Sequence, residues 1–123
     1  MPTRKLVSVV DDDVSIRESL PVLLKSLGLE ADSFASAEAF LKSESLQRTQ
    51  CLILDVAMPG MSGPELQEEL ARRKRSIPIV FITANSREGV RPQVMRRGAV
   101  DYLIKPFGKT AILSAINRAL GDG

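Results

Sequence analysis

Near its start the chain reads LVSVVDDD over residues 6–13, an uncharged run rich in Val that ends in three carboxylates. Three more short apolar runs end in polar residues: CLILD at 51–55, IVFIT at 79–83 and YLIKP at 102–106. Runs of this kind are typical of strands buried on both faces of a parallel sheet. Because right-handed crossovers carry such strands in one direction, their carboxyl ends meet at one edge. The sequence therefore predicts one pocket that combines carboxylates, a hydroxyl and an ammonium group.

The bulk composition predicts a single domain over residues 1–123, because compact domains most often contain roughly 100–150 residues. A hydrophobic content of 44% is sufficient for a core, and a net charge of +2 gives no reason to expect binding to nucleic acid or a membrane. The single cysteine, Cys51, falls in a predicted buried strand and is expected to be a small core residue in a reducing, intracellular location. No signal peptide or membrane span is recognisable. The absence of histidine excludes a His-dependent triad, a His-ligated zinc site and a phosphohistidine on this chain.

Helical patterns separate the apolar runs. After the first strand, apolar residues at spacings of four, three and four predict a helix: Ile16, Leu20, Leu23 and Leu27. Pro21 lies inside this helix and predicts a bend near Arg17. Further signals predict a strand at 29–34, a short helix capped by Ser36, and a helix that begins with the capping-box pair Ser62 and Glu65. With a strand at 77–82, the pattern becomes five strands alternating with five helices.

The fourth of these helices has the weakest signal. Gly89 and Pro92 both oppose a helix interior, so this helix is expected to begin late or to be kinked. Gly98 is expected to end it. The last helix is marked by Ile112, Leu113, Ile116 and Leu120.

Such alternation predicts an open α/β sandwich with its ligand site at the carboxyl ends of the strands. Carboxylates crowded there repel one another, which a divalent cation relieves, and ligands that are all oxygen suit Mg²⁺ better than zinc or copper. A carboxylate beside Mg²⁺ is a candidate nucleophile toward phosphorus. Lys105 and Thr83 could then each contact one phosphoryl oxygen, because phosphoryl transfer requires mainly positioning and charge neutralisation.

Four motifs together resemble the response-regulator receiver domain of two-component signalling. They are VVDDD at 9–13, LDVAMPGMSG at 54–63, FITA at 81–84 and GAVDYLIKPF at 98–107. The resemblance covers nearly the whole chain. It implies a chemotaxis-regulator-like, flavodoxin-like (βα)5 three-layer sandwich whose five parallel strands have the order 2-1-3-4-5.

The resemblance also implies roles for individual residues. Asp55 would accept a phosphoryl group from a partner sensor histidine kinase. Mg²⁺, for which Mn²⁺ could substitute, would be held by Asp11, Asp12, Asp55 and the backbone carbonyl of Ala57. Thr83 and Lys105 would contact the phosphoryl group. Tyr102 would be an aromatic switch that turns inward after phosphorylation.

The remaining expectations concern the borders of the site and the partners. By the same resemblance, Ala57, Asn85 and Pro106 border the site, and the side chains at 57 and 85 are expected to tune dephosphorylation. Phosphorylation is expected to change the surface around residues 86–107, with a homodimer through the fourth helix and fifth strand as one outcome. The motifs most resemble receivers that precede helix-turn-helix output domains, which implies a cytoplasmic regulator of transcription. The chain itself is expected to bind neither nucleic acid nor membrane, and to be no enzyme beyond its own phosphorylation and dephosphorylation.

Two alternatives remain open at this stage. A phosphatase of the haloacid-dehalogenase type would use Asp11 as nucleophile and Asp13 as acid and base. Such enzymes need a further acidic pair beyond Lys105, where the only aspartate is Asp122, and they leave Asp55 unexplained. A receiver-like module that binds partners without phosphorylation is the other alternative, against which the complete acidic set argues.

Overall fold

Five parallel strands form the centre of the molecule in the computed structural model, which describes residues 4–85 and 87–121. They are β1 (Leu6–Val10), β2 (Glu30–Phe34), β3 (Thr49–Asp55), β4 (Ile79–Thr83) and β5 (Asp101–Ile104). The sheet order is β2-β1-β3-β4-β5, with all four pairings parallel. The predicted strand order is confirmed. The second and fourth strands begin one and two residues later than predicted.

Six helices lie between and after these strands in the described part of the chain. They are α1 (Val14–Ser26), α2 (Ala37–Leu41), α3 (Ser45–Arg48), α4 (Gly63–Arg72), α5 (Val90–Arg96) and α6 (Lys109–Leu120). The prediction of five helices was wrong because it missed α3. This helix has four residues and no side-chain cap, and it is held by hydrogen bonds from the Thr49 hydroxyl to the Ser45 carbonyl and from the Ser45 hydroxyl to Asp32. Because α2 and α3 both lie between β2 and β3, the predicted (βα)5 order is confirmed. The helix that the sequence predicted as the fourth is α5.

The helix starts follow local capping chemistry. Asp13 accepts a hydrogen bond from the Ser15 amide at the start of α1, and Ser62 and Glu65 form the predicted capping box of α4. Helix α5 begins late, as predicted, after Gly89 at a φ of 87°. Pro92 therefore falls in the first turn, where its missing N–H removes no helical hydrogen bond. Helix α1 continues through Pro21, and the bend near Arg17 stays a prediction.

Two apolar layers cover the two faces of the sheet, which makes the domain three layers thick. Alternate residues of β3 show the division: Cys51 and Ile53 pack with side chains of α1 and α6, whereas Leu52 and Leu54 pack with side chains of α2, α4 and α5. Cys51 is a fully buried core residue, as predicted, and burial raises the pKa of its thiol to about 12. Within residues 4–85 and 87–121, no helix combines the length and apolar character required to cross a membrane.

Candidate functional site

Three carboxylates meet at the carboxyl edge of the sheet. Asp11 and Asp12 follow β1, and Asp55 is the last residue of β3. Each offers a carboxylate oxygen, and these three oxygens lie within 4.8 Å of one another. Asp11 is fully buried and Asp55 is 5% exposed, whereas Asp12 is exposed. The structure therefore brings together the carboxylates that the sequence predicted to meet.

Lys105 follows β5 and reaches into this acidic cluster. Its Nζ atom lies 2.8 Å from Asp11 Oδ2, 3.5 Å from Asp55 Oδ1 and 4.0 Å from Asp13 Oδ2. The Lys105 amide donates to the Thr83 carbonyl at 2.7 Å, which fixes the end of β5 beside the end of β4. The following peptide bond, to Pro106, is cis.

The pKa of Asp55 reflects this crowding. Burial and the negative charge of Asp11 raise it from 3.8 to about 7, although the positive charge of Lys105 acts in the opposite direction. Burial lowers the pKa of Lys105. The hydrogen bond and charge of Asp11, with the charges of Asp55 and Asp13, outweigh that effect and raise it above its ordinary value. The cluster is thus short of positive charge, even with Lys105 in place.

The donor set fits a divalent cation. Three carboxylate oxygens in close proximity, with no nitrogen or sulfur ligand among them, are suited to a hard ion such as Mg²⁺. Ala57 lines the same cavity, which has a volume of about 520 Å³. Its position leaves the backbone carbonyl as a candidate fourth oxygen ligand. The raised pKa of Asp55 shows that the carboxylates carry an electrostatic cost that a cation would remove.

Thr83 and Asn85 also line this cavity. The Thr83 hydroxyl donates to the Asn85 carbonyl at 2.8 Å and accepts from the Asn85 amide at 3.2 Å, so it is now engaged with the loop after β4.

Tyr102 lies in the apolar layer between the sheet and helices α2, α4 and α5, and 6% of its surface is exposed. Its hydroxyl is buried and has no hydrogen-bond partner in the described chain. The ring is thus already inside the protein in this conformation, and its predicted movement on phosphorylation stays a prediction.

Four further residues belong to the site and are not among the metal ligands or phosphoryl contacts implied by the resemblance. Asp13 faces Lys105 besides capping α1, and the Arg17 guanidinium donates to the Asp11 carbonyl at 3.0 Å. A Cβ atom on Gly63 would lie 2.2 Å from the Asp55 carbonyl oxygen, so glycine permits a close approach there. Arg87 lines the cavity of Asp55 and Lys105. Only Asp13 had a sequence signal, because it adjoins the two predicted ligands.

The comparison with known families agrees with this geometry. A family profile described as "Response regulator receiver domain" matches residues 7–117. The chain belongs to the response regulator receiver domain family. The predicted resemblance is confirmed, and so is the flavodoxin-like fold.

Individual relatives support the same assignment. Nodulation protein W of Bradyrhizobium diazoefficiens is 46% identical over 114 residues, which cover 93% of this receiver domain and 50% of the relative. Transcriptional regulatory protein FixJ of Azorhizobium caulinodans is 40% identical over 121 residues, covering 98% and 57% of the two chains. The solved structure of the response regulator StyR aligns with a TM-score of 0.89 at 46% identity, covering 96% of this chain and 60% of that one. The chain thus spans about half the length of these curated relatives.

Proposed function

We propose that this receiver domain, residues 1–123, is a phosphorylation-dependent switch in which Asp55 accepts a phosphoryl group from a partner sensor histidine kinase. The observation that carries the proposal is the juxtaposition of Asp55 with Lys105 and two further carboxylates at the carboxyl edge of the sheet. The Asp55 carboxylate is the nucleophile: its oxygen forms the new bond to phosphorus while the bond between phosphorus and the kinase histidine nitrogen breaks, and the departing imidazole keeps the electron pair. Lys105, 3.5 Å from Asp55, neutralises charge on one phosphoryl oxygen.

The acidic cluster is the proposed site of Mg²⁺, for which Mn²⁺ could substitute. Asp11, Asp12 and Asp55 would hold the ion with the Ala57 carbonyl. When bound, the ion supplies positive charge to the carboxylates and to the phosphoryl oxygens. Asp11 is held for this role, because its Oδ1 accepts from the Asp13 amide at 2.9 Å and its carbonyl accepts from Arg17.

The proposed switch begins at Thr83. A phosphoryl oxygen competes with the Asn85 carbonyl for the Thr83 hydroxyl, and this exchange draws the loop after β4 toward Asp55. Tyr102 then moves, and the surface around residues 86–107 changes its affinity for a partner. Ser86 lies outside the described residues. Phosphorylation can shift this equilibrium only by as much as it favours one conformation over the other. Ala57 and Asn85 border the phosphoryl group and tune its lifetime, with Pro106 beside Lys105.

The proposed partners follow from the relatives. FixJ is described as a transcriptional regulatory protein, which supports control of transcription through an output domain. We expect the protein in the cytoplasm, with the kinase as its phosphoryl source and a homodimer through α5 and β5 as one phosphorylated form. The receiver domain itself is proposed to bind no nucleic acid or membrane, and to catalyse only its own phosphorylation and dephosphorylation.

Mapping the phosphoryl adduct tests this proposal. The chain is incubated with Mg²⁺ and a small phosphodonor, and the acyl phosphate is located by mass spectrometry after reductive trapping. We expect label on Asp55 and its loss in Asp55→Asn. The label should be retained in Glu88→Gln, the control variant, because the Glu88 carboxyl is exposed on a loop. Label on Asp11 would instead support the phosphatase alternative, for which Asp122 lies outside the described residues. A lack of any spectral response to Mg²⁺ with beryllofluoride would support a module that works without phosphorylation.

A further inference from the structure

Arg87 is a second cation in the pocket of the proposed phosphoryl acceptor. It lies on the loop between β4 and α5 and lines the cavity of about 520 Å³ that also contains Asp55, Thr83 and Lys105. Among the residues that line this cavity, Lys105 and Arg87 are the two with a positive charge. The pocket thus presents two cationic groups at different depths, because Lys105 is mostly buried and Arg87 is exposed.

The two cations differ in what they contact. The Lys105 ammonium is within 4.0 Å of three carboxylates, those of Asp11, Asp13 and Asp55, so its charge is already compensated by the protein. Arg87 has no carboxylate within 4.0 Å in the part of the chain that the structure describes. The charge of Arg87 is therefore available to an incoming anion.

The balance of charge around the cavity favours such a cation, even with a divalent ion in the proposed metal site. Three carboxylates line it, those of Asp12, Asp13 and Asp55, and a fourth, that of Asp11, lies 2.8 Å from the Lys105 ammonium. With the proposed Mg²⁺ bound, the four carboxylates still outweigh Lys105 and the ion by one charge, so an anionic phosphodonor that approaches Asp55 meets net negative charge unless a further cation faces it. A guanidinium is well suited to this task, since its planar array of N–H donors matches two phosphate oxygens at once.

We propose that Arg87 binds the anionic phosphodonor at the entrance of the pocket and makes the receiver domain selective for donors of higher negative charge. This inference rests on the proposed function, because it assigns the donor contact of the same site. With an acyl phosphate, an Asp55 carboxylate oxygen forms a bond to phosphorus while the bond between phosphorus and the acyl oxygen breaks. The departing carboxylate keeps the electron pair, and no proton is transferred. Arg87 contacts only the non-reacting oxygens, so its effect is on binding of the donor.

The test compares Arg87→Met with Arg91→Met, which removes an exposed positive charge that does not line the cavity. Asp55 labelling rates are measured with Mg²⁺ over a range of acetyl phosphate, a dianion, and phosphoramidate, which carries less negative charge. In Arg87→Met, the acetyl phosphate concentration for half-maximal rate is expected to rise about 3- to 10-fold. The maximal rate stays within about two-fold, the signature of lost ground-state binding. The effect with phosphoramidate is smaller, Arg87→Lys restores part of the loss, and Arg91→Met behaves as the unmodified chain.

A binding measurement removes the dependence on turnover. In Asp55→Asn, the unreactive analogue acetonylphosphonate is titrated while the Arg87 Nε–H signal is followed by NMR, and a saturable shift is expected. Three results of the labelling experiment would each overturn the role of Arg87. They are the same acetyl phosphate concentration for half-maximal rate in Arg87→Met and Arg91→Met, an equal change with both donors, and a fall in the maximal rate alone. Those results leave Asp55 labelled and the proposed function intact. Absence of label on Asp55 in every variant would overturn both.

Discussion

The Lys105 ammonium lies 2.8 Å from the Asp11 carboxylate, and Asp11 is completely buried. The same ammonium is 3.5 Å from Asp55, so one cation is shared between the proposed acceptor and a proposed metal ligand. Burial of a carboxylate is costly unless it is paired, which makes this contact important both for the fold and for the site.

Lys105→Met is expected to destabilise the metal-free protein by roughly 3 kcal/mol near pH 7.5, because it leaves buried carboxylates without their cation. The loss should be smaller near pH 5, where Asp55, whose pKa is about 7, is protonated. Urea unfolding at both pH values measures the difference. Lys109→Met is the control, since Lys109 is exposed at the start of α6. Equal changes in the two variants would show that the contact with Asp11 contributes little.

Asp55→Asn is expected to stabilise the metal-free protein near neutral pH. Between about pH 4 and pH 7 the folded Asp55 keeps a proton that the unfolded chain has lost, because its folded pKa of about 7 is above the unfolded value of about 3.9. The free energy of unfolding contributed by Asp55 therefore falls as the pH rises through this range. At about 1.4 kcal/mol per pKa unit, and with solvent screening reducing the full value, the advantage of Asp55→Asn grows from near zero at pH 4 to about 2–4 kcal/mol at pH 7.5.

This prediction is checked by urea unfolding in EDTA across pH 4 to 8. The difference in the free energy of unfolding between Asp55→Asn and the unmodified chain isolates the contribution of Asp55 from those of the other carboxyl groups. The matched control is Asp101→Asn. Asp101 is the first residue of β5, at the end of the strand away from Lys105, and its carboxyl pairs with Arg118. A constant difference between Asp55→Asn and the unmodified chain at every pH would contradict the raised pKa.

Addition of Mg²⁺ is expected to raise the melting temperature of the receiver domain, more at pH 7.5 than at pH 5. A ligand that binds only the folded state at 100 times its Kd adds about 2.7 kcal/mol to stability. Protonation of Asp55 at the lower pH removes one ligand charge and weakens this effect. Asp12→Asn should reduce the response, whereas Glu88→Gln should not. Calorimetry with Mg²⁺ and with EDTA provides the measurement, and an equal shift in all three proteins would point to a different binding site.

Gly63→Ala is expected to impair both stability and phosphorylation. Helix propensity alone favours alanine by about 1 kcal/mol within a helix such as α4. The new methyl group, however, would lie 2.2 Å from the Asp55 carbonyl oxygen and 3.1 Å from a Phe81 ring carbon. Because the backbone must shift, we expect a net loss of about 1–3 kcal/mol and slower labelling of Asp55.

Gly108→Ala is the matched control for Gly63→Ala, since a Cβ atom at Gly108 meets no atom within 4 Å. Gly108 is the N-cap of α6 with a φ of −80°, which alanine also adopts, and its substitution is expected to cost about 0.5–1 kcal/mol through the weaker cap, without a steric clash and without slower labelling of Asp55. Urea unfolding and the labelling rate are compared for the two variants. Stabilisation by Gly63→Ala would show that the end of β3 yields to the methyl group at no cost.

The order of the strands and the position of the site could be predicted from local patterns and the resemblance they carry. Four of the five strands are short apolar runs, and each of these runs is followed by or ends in a polar residue of the site, so Asp55, Thr83 and Lys105 were recognisable from the sequence. The apolar runs of β1, β3 and β4 are buried as predicted, whereas β5 lies at the sheet edge and leaves Ile104 exposed. Capping signals also act within a few residues, which is why the starts of α2 and α4 were predicted. Helix α3 has no such pattern, because its contacts come from Asp32 and Thr49 rather than from its own periodicity.

The contacts that define the site depend on how separate segments pack. Three features of the site result from three loops that meet at one edge of the sheet. They are the burial of Asp11 among the successive aspartates, the close approach of Lys105 to Asp11, and the position of Arg87 at the same cavity. Gly63 is an ordinary turn glycine in the sequence, and only the approach of α4 to the end of β3 makes it a steric requirement. Local sequence specifies the periodicity and the caps because both arise between near neighbours. Distances between residues far apart in the chain arise from packing of the whole core, and no local pattern encodes them.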